Sequence, residues 1–241
     1  MTDLTDRQVQ VLKTIVEEYT NTAEAVGSET LDKKYNLGVS PATIRNEMVY
    51  LTEQGYLLQP HTSAGRIPSS KAIKLYIAEI MREQDLTVAE EVSAKERVWD
   101  KRHQLDELLR EAAHELAQRT GSIGIAAVDE GPVYSAGYAH ILEMPEFYDI
   151  DVTRTLFSML DEASQLLGII HQRLMERELE VLLGDDFGVS HLESVSCVVG
   201  RFQAGGQTGS LGVIGSRRFN YPKVIPLVRH FAHLISQIAR E

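Results

Sequence analysis

The sequence predicts an α+β fold: an N-terminal winged helix-turn-helix domain, then an α+β domain with an antiparallel sheet. Three observations carry this prediction. A capped, proline-started helix begins at Ser40, and two short apolar strands flanking a polar turn follow it over 56–68. From Ser122 onward, short apolar runs rich in β-branched residues alternate with helical ones, and Ala204-Gly205-Gly206-Gln207 joins two of them as a hairpin turn would. Charge is unevenly spread. The chain carries −11 overall, yet 33–74 holds Lys33, Lys34, Arg45, Arg66, Lys71 and Lys74 against only Glu47 and Glu53. An acidic total therefore does not exclude a nucleic-acid partner, because the distribution of charge decides.

Taken in order, Thr5-Asp6-Arg7-Gln8 is a capping box, with Gln8 placed to reach back to the cap. The helix after it presents Val9, Leu12, Ile15, Val16 and Tyr19 at helical spacing as its buried face. Val26-Gly27-Ser28 turns the chain, and Ser28 is expected to cap a second helix, Glu29 to Lys34, with Leu31 and Tyr35 inward. Asn36 to Val39 is a short turn into Ser40. Ser40 is the N-cap of the next helix, and Pro41 takes the first helical position, where its missing N–H costs nothing. Ile44, Met48 and Leu51, spaced by four and three, line the buried side, and Gly55 is the expected left-handed residue past the end.

Thr43, Arg45 and Asn46 point away from that buried side. Arginine pairs with guanine, and asparagine with adenine, through two hydrogen bonds each in the major groove. Helix, tight turn, helix is the pattern whose second helix enters that groove. Tyr56 to Gln59, the polar tip Pro60 to Gly65, and Arg66 to Pro68 are expected to form a small hairpin, or wing. In it Gly65 supplies a turn conformation, and Arg66 at the tip meets phosphate or a narrow minor groove. Ser69 or Ser70 caps a helix through Ile80. The predicted DNA contacts are Ser28, Ser40, Thr43, Arg45, Asn46, His61, Thr62, Ser63, Arg66 and Lys71. Lys33, Lys34 and Lys74 read equally well as phosphate contacts or as ordinary surface lysines.

Residues 85–119 are polar and rich in helix formers, with Leu105, Leu108, Leu109, Ala112, Ala113 and Leu116 at helical spacing. Two readings stand for this segment: a connecting helix forming one side of a dimer contact, or a surface helix packed on its own domain. Ile123 to Val128 reads as a buried strand, Asp129-Glu130-Gly131-Pro132 as a turn, and Val133 to Leu142 as a second extended run. Val152–Leu160 and Ala163–Leu174 read as helices and Leu179–Leu183 as a strand. Val195–Phe202 and Leu211–Ile214 read as an antiparallel pair, and Tyr221 to Ile238 as the last helix. The expected domains are 1–83, a connecting segment 84–120, and 121–241.

Composition excludes several classes. No apolar run approaches the ~20 residues that span a bilayer, and the start (Thr2, Asp3, Thr5) is too polar for a secretory signal, so a cytoplasmic location is expected. Cys197 is the only cysteine, which rules out an intrachain disulfide or a multi-cysteine zinc site; it reads as a small buried hydrophobe. Glu111-Ala112-Ala113-His114-Glu115 has a metal-like spacing without a second element, and His171, His230 and His233 have no partner motif. No Ser/His/Asp arrangement and no phosphate loop is present. The sequence predicts no catalytic, metal or cofactor site, and a non-enzyme.

One resemblance is specific. The run Gly38-Val39-Ser40-Pro41-Ala42-Thr43-Ile44-Arg45-Asn46-Glu47-Met48, with Leu51, Gly55-Tyr56-Leu57 and Gln59-Pro60-His61-Thr62-Ser63-Ala64-Gly65-Arg66-Ile67-Pro68, resembles the bacterial heat-inducible transcription repressor family, HrcA. Leu4 to Gln8 and Val26-Gly27-Ser28 match the start of that family. More scattered matches follow at Gly121, Ala126, Gly137, Pro145-Glu146-Phe147, Gly209, Leu211 to Gly215, Arg218, Tyr221 and Val224-Ile225. The resemblance implies a winged helix on an inverted-repeat double-stranded DNA operator upstream of chaperone genes. It also implies a homodimer, activity supported by a GroEL-type chaperonin, and a GAF-like second domain. Family members commonly carry an inserted dimerisation subdomain after the first GAF-like strand. Here Ile123–Val128 passes almost directly to Val133, so a dimer would use the acidic middle helix or the GAF-like faces. Two other function classes remain: a regulator whose GAF-like domain senses a small molecule, and a winged helix serving as a protein–protein module without DNA. The basic surroundings of Arg45 weigh against the last.

Overall fold

The computed structural model describes residues 3–129, 131–175 and 177–239; Thr2 and Glu130, read above as part of a polar start and of a turn, lie outside the described residues. The chain divides between Arg82 and Glu83 into two compact units.

The first unit holds α1 (Asp6–Thr22), α2 (Ser28–Tyr35), α3 (Pro41–Glu53), the paired strands β1 (Leu57–Leu58) and β2 (Ile67–Pro68), and α4 (Ser70–Leu75). A π-helical turn, Tyr76–Ile80, continues α4. The capping box forms: Gln8 N–H donates to Thr5 Oγ1 at 3.4 Å, and Thr5 N–H donates to Gln8 Oε1 at 3.0 Å. Val11, Leu12, Ile15 and Tyr19 of α1 pack with Leu31, Ile44, Met48, Leu51 and Leu57 into one core. Val11 is buried in the place expected for Val9, which is half-buried.

Two local expectations are corrected. Ser28 does not cap α2: Gly27 is the N-cap, and Ser28 is the first helical residue, 8% exposed. The cause lies upstream. Val26 is held extended by an antiparallel bridge to Arg66, with N–H···O bonds of 2.9 and 2.8 Å, so the helix must start directly after Gly27. The same bridge takes Arg66 off the tip of the hairpin and holds it where the tip loop meets β2, next to Ile67. It also changes the reason for Gly65, whose φ is not in the left-handed region. A Cβ there would lie 2.5 Å from the backbone C and O of Val26. Close approach of two backbones requires this glycine, not turn geometry.

The second unit holds α5 (Val88–Trp99), α6 (Leu105–Thr120), β3 (Ile123–Val128), β4 (Val133–Ala136), α7 (Tyr138–Ile141), a 3₁₀ turn (Pro145–Tyr148), α8 (Ile150–Asp161), α9 (Ala163–Leu174), β5 (Leu179–Leu183), β6 (Val195–Ala204), β7 (Gln207–Ser216) and α10 (Tyr221–Ile238). The sheet runs β4-β3-β7-β6-β5, every pair antiparallel. Gly205 and Gly206, at φ 56° and 83°, close the β6–β7 hairpin as a two-residue turn that only positive φ permits. Ile123, Ile125, Cys197 and Val199 face a core shared with Leu156, Leu160, Leu166 and Ile170 of α8 and α9. Helices α6 and α10 pack on the opposite face. Gly124 makes this possible, since a Cβ would stand 1.9 Å from the carbonyl oxygen of Ala113 in α6.

The run Val133–Leu142 is not one strand. Gly137, at φ 86°, breaks it into β4 and α7. Of the two readings of the segment 84–120, the structure shows helices packed on their own domain, since they belong to the second unit. Part of the reason is Pro226 inside α10. It has no N–H for the carbonyl of Pro222, four residues back, and Gln84 N–H bonds that oxygen instead at 2.8 Å. Arg229, one turn further on, forms a two-point pair with Glu83, which holds the Glu83 carboxyl below its ordinary range through hydrogen bonding. No helix among the described residues is long and apolar enough to cross a membrane.

Candidate nucleic-acid interface

The site starts from how α3 is held. At its beginning, Ser40 Oγ accepts the N–H of Thr43 at 3.2 Å and lies 3.0 Å from the Thr43 hydroxyl, so the two side chains fix each other. At its end, Gly55 N–H bonds Thr52 O at 2.9 Å and Tyr56 N–H bonds Leu51 O at 2.8 Å, with Gly55 at φ 75°. That is a Schellman motif. Lys71 reinforces it: Nζ donates to Gln54 O at 2.9 Å and sits 4.1 Å from the Tyr56 ring centroid. Lys71 is thus tethered to the end of α3, although its side chain stays exposed.

With Ile44, Met48 and Leu51 buried, the opposite side of α3 faces solvent. Arg45 and Asn46 are exposed, and their side chains make no hydrogen bond or ion pair among the described residues. Glu47, between them and the core, is turned back to α1, where it accepts from Gln8 Nε2 at 3.1 Å and lies 3.6 Å from Arg7. The Glu47 carboxylate is therefore occupied. Glu18 likewise takes up Lys34 and Tyr35. Those bonds hold the Glu18 carboxyl below its usual range, while burial and then Glu18 push the Tyr35 hydroxyl up to about 12. Lys34 thus braces α2 on α1.

The hairpin stands beside α3. Its tip is Pro60 to Ala64, shaped by Gln59, whose Nε2 donates to Thr62 O at 2.9 Å and Ala64 O at 3.2 Å. His61, Thr62 and Ser63 are exposed on it. Arg66 Nε donates to Thr52 Oγ1 at 3.0 Å, which straps the hairpin to α3. Between the two lies an open groove of about 490 Å³, lined among others by Ser28, Arg45, Val49, Thr62, Ser63 and Arg66. Of the ten predicted contacts, Arg45, Thr62, Ser63, Arg66 and Ser28 meet in this groove; Ser40, Thr43 and Lys71 shape α3, and Asn46 and His61 stand on the adjoining surface.

Two residues escaped the sequence reading. Val49 and Tyr50 are 41% and 36% exposed on α3. Each lies four residues after Arg45 or Asn46, and that spacing was the signal that puts them on the same face. Arg45, Asn46, His61, Thr62 and Ser63 offer guanidinium, carboxamide, imidazole and hydroxyl donors whose side chains have no hydrogen-bond partner among the described residues. Planar donors of this kind match paired acceptors on a base edge or a phosphate.

Comparison with known proteins places the chain in a family. Residues 42–225 match the family model described as the HrcA protein C-terminal domain. A heat-inducible transcription repressor HrcA from Symbiobacterium thermophilum is 28% identical over 98% of both chains. That alignment runs over 339 positions against the 241 residues here, so the relative carries residues with no counterpart. The repressor of the same name from Acetivibrio thermocellus is 43% identical over 127 residues, 53% of this chain and 36% of its own. A crystal structure of a hypothetical protein at 2.2 Å resolution, 20% identical, superposes with a TM-score of 0.75 over 98% of this chain and 97% of the other, which shows a shared fold. The relatives are named as transcription repressors, not as enzymes. On the extent of the family match, this chain is a member of the HrcA family.

Proposed function

We propose that the chain is a transcription repressor that binds an inverted-repeat double-stranded DNA operator upstream of chaperone genes, as a homodimer in the cytoplasm. The first unit acts as a winged helix-turn-helix domain and the second as a GAF-like domain. The observation that carries the reading is the pair Arg45 and Asn46, exposed and without a side-chain partner among the described residues, on a helix whose other side is buried, with a flanking hairpin strapped to it. In the reading, α3 enters a major groove. Arg45 and Asn46 contact base edges, Ser40 and Thr43 fix the helix start, and His61, Thr62 and Ser63 follow the neighbouring backbone. Arg66 and Lys71 position the elements more than they contact DNA, and the backbone N–H groups at the start of α2, beside Ser28, face phosphate. Two-fold symmetry of the dimer matches two half-sites. Occupancy of the operator blocks transcription.

The second element of the proposal, implied by the family resemblance, is a GroEL-type chaperonin that brings the repressor to its active fold. Footprinting on the DNA upstream of the host's chaperone operon tests the first part; protection of an inverted repeat is expected, and uniform or absent protection contradicts it. Refolding with and without chaperonin, read by operator binding, tests the second, and equal recovery in both arms contradicts it.

A further inference from the structure

We propose that Val49 determines sequence specificity by packing its side-chain methyls on the C5-methyl of a thymine beside the base pair that Arg45 reads; this rests on the DNA reading of α3. Four observations converge. Val49 is 41% exposed although valine is apolar. It follows Arg45 by one helical turn, so both side chains lie on one stripe of α3. It lines the groove between α3 and the hairpin together with Arg45, Thr62 and Ser63. It is β-branched on an exposed helix face, where local propensity favours other residues, so neither helix formation nor core packing accounts for it.

The chemistry follows from the base edges. In the major groove only thymine presents a methyl group, and an apolar side chain is its complement. A guanidinium paired to guanine holds α3 at fixed depth, and the next turn then faces a neighbouring base pair. A valine at that place gains by burying the methyl and offers no hydrogen bond to the other bases. Cytosine's amino group opposite it would be desolvated without a partner. Arg45 and Val49 thus read adjacent positions by different physics, one polar and one apolar.

The test uses the full chain. Duplexes selected from a random library define the preferred half-site, and each thymine in it is then replaced by uracil, which removes only the C5-methyl. One thymine per half-site is expected to matter, its replacement weakening binding about fourfold, the worth of one buried methyl. In Val49→Ala the thymine and uracil duplexes should bind alike, while discrimination at the Arg45 position persists. The site is exposed, so the variant folds; circular dichroism checks this. If the uracil penalty is absent, or survives unchanged in Val49→Ala, Val49 is not the reader although the DNA reading stands. If the library yields no preferred sequence at all, the DNA reading itself fails and takes this inference with it.

Discussion

Replacing Gly65 by alanine should detach the hairpin from the helices it serves. The new Cβ would stand 2.5 Å from the backbone C and O of Val26 and 2.8 Å from the backbone C of Ala25. Backbone cannot rotate away as a side-chain tip can, so the strands must part until an ordinary contact is restored. The two bridge hydrogen bonds, 2.9 and 2.8 Å, break at about 0.5–1.5 kcal/mol each. Forcing atoms into a packed site costs roughly 1–3 kcal/mol. Either route leads to a loss of ~1–3 kcal/mol in the first unit. Hydrogen exchange is the suitable assay, since it reads Val26 and Arg66 amides directly. Both should lose protection in Gly65→Ala, and operator binding should fall with them. Gly55→Asn is the control: that glycine has φ 75° and open space around its Cβ position, and asparagine tolerates the left-handed region. If Gly65→Ala keeps wild-type protection, the close-approach account of the bridge is wrong.

Ser40→Ala removes the cap of α3 and should cost about 1 kcal/mol by denaturant titration, with operator affinity lowered because the start of the helix frays. The Glu18 carboxyl sits below its ordinary value of 4.5 because of its bonds to Lys34 and Tyr35. Its contribution is therefore complete above that value and vanishes as pH falls through the lowered folded-state value. The stability difference between wild type and Glu18→Gln should shrink below pH 4.5; a difference constant from pH 7 to 3 contradicts this. Burial pushes the Cys197 thiol up to about 12. A thiol reagent at pH 8 should label it only as fast as the second unit opens, and fast labelling of the folded chain would refute its burial.

Legibility in the sequence followed the range of the forces involved. Capping is local, so Thr5, Ser40 and the end of α3 at Gly55 were readable from a few neighbours. The glycine pair at 205 and 206 announced its hairpin for the same reason. Contacts between distant segments were not readable. The Val26–Arg66 bridge joins residues forty positions apart; without it Ser28 looked like a cap, Gly65 like a turn residue and Arg66 like a tip. The last helix, Tyr221 to Ile238, was readable, but how it tolerates Pro226 was not: Gln84, far away in the chain, donates to the carbonyl of Pro222 that the proline leaves open. Within the candidate site, α3's buried stripe fixed Arg45 and Asn46 by elimination. Val49 carries no polar group, so the sequence alone marks it only by its spacing of four from Arg45. Scattered family matches gained meaning in space: Arg218 and Ser216 both bond the carboxylate of Glu146, tying the 3₁₀ turn to the end of β7.

The central claim, that α3 reads DNA through Arg45 and Asn46, meets its most direct test in one titration. Labelled operator, its single-base variants and an unrelated duplex are titrated with wild type and Arg45→Ala across a salt series. The account predicts that wild-type affinity falls steeply with salt, by a log–log slope of roughly −0.9 per phosphate neutralised. It also predicts that Arg45→Ala loses ~1–3 kcal/mol and becomes indifferent to one base pair only. Equal, weak affinity for operator and unrelated DNA, or an Arg45→Ala variant that keeps full discrimination at every position, would contradict it.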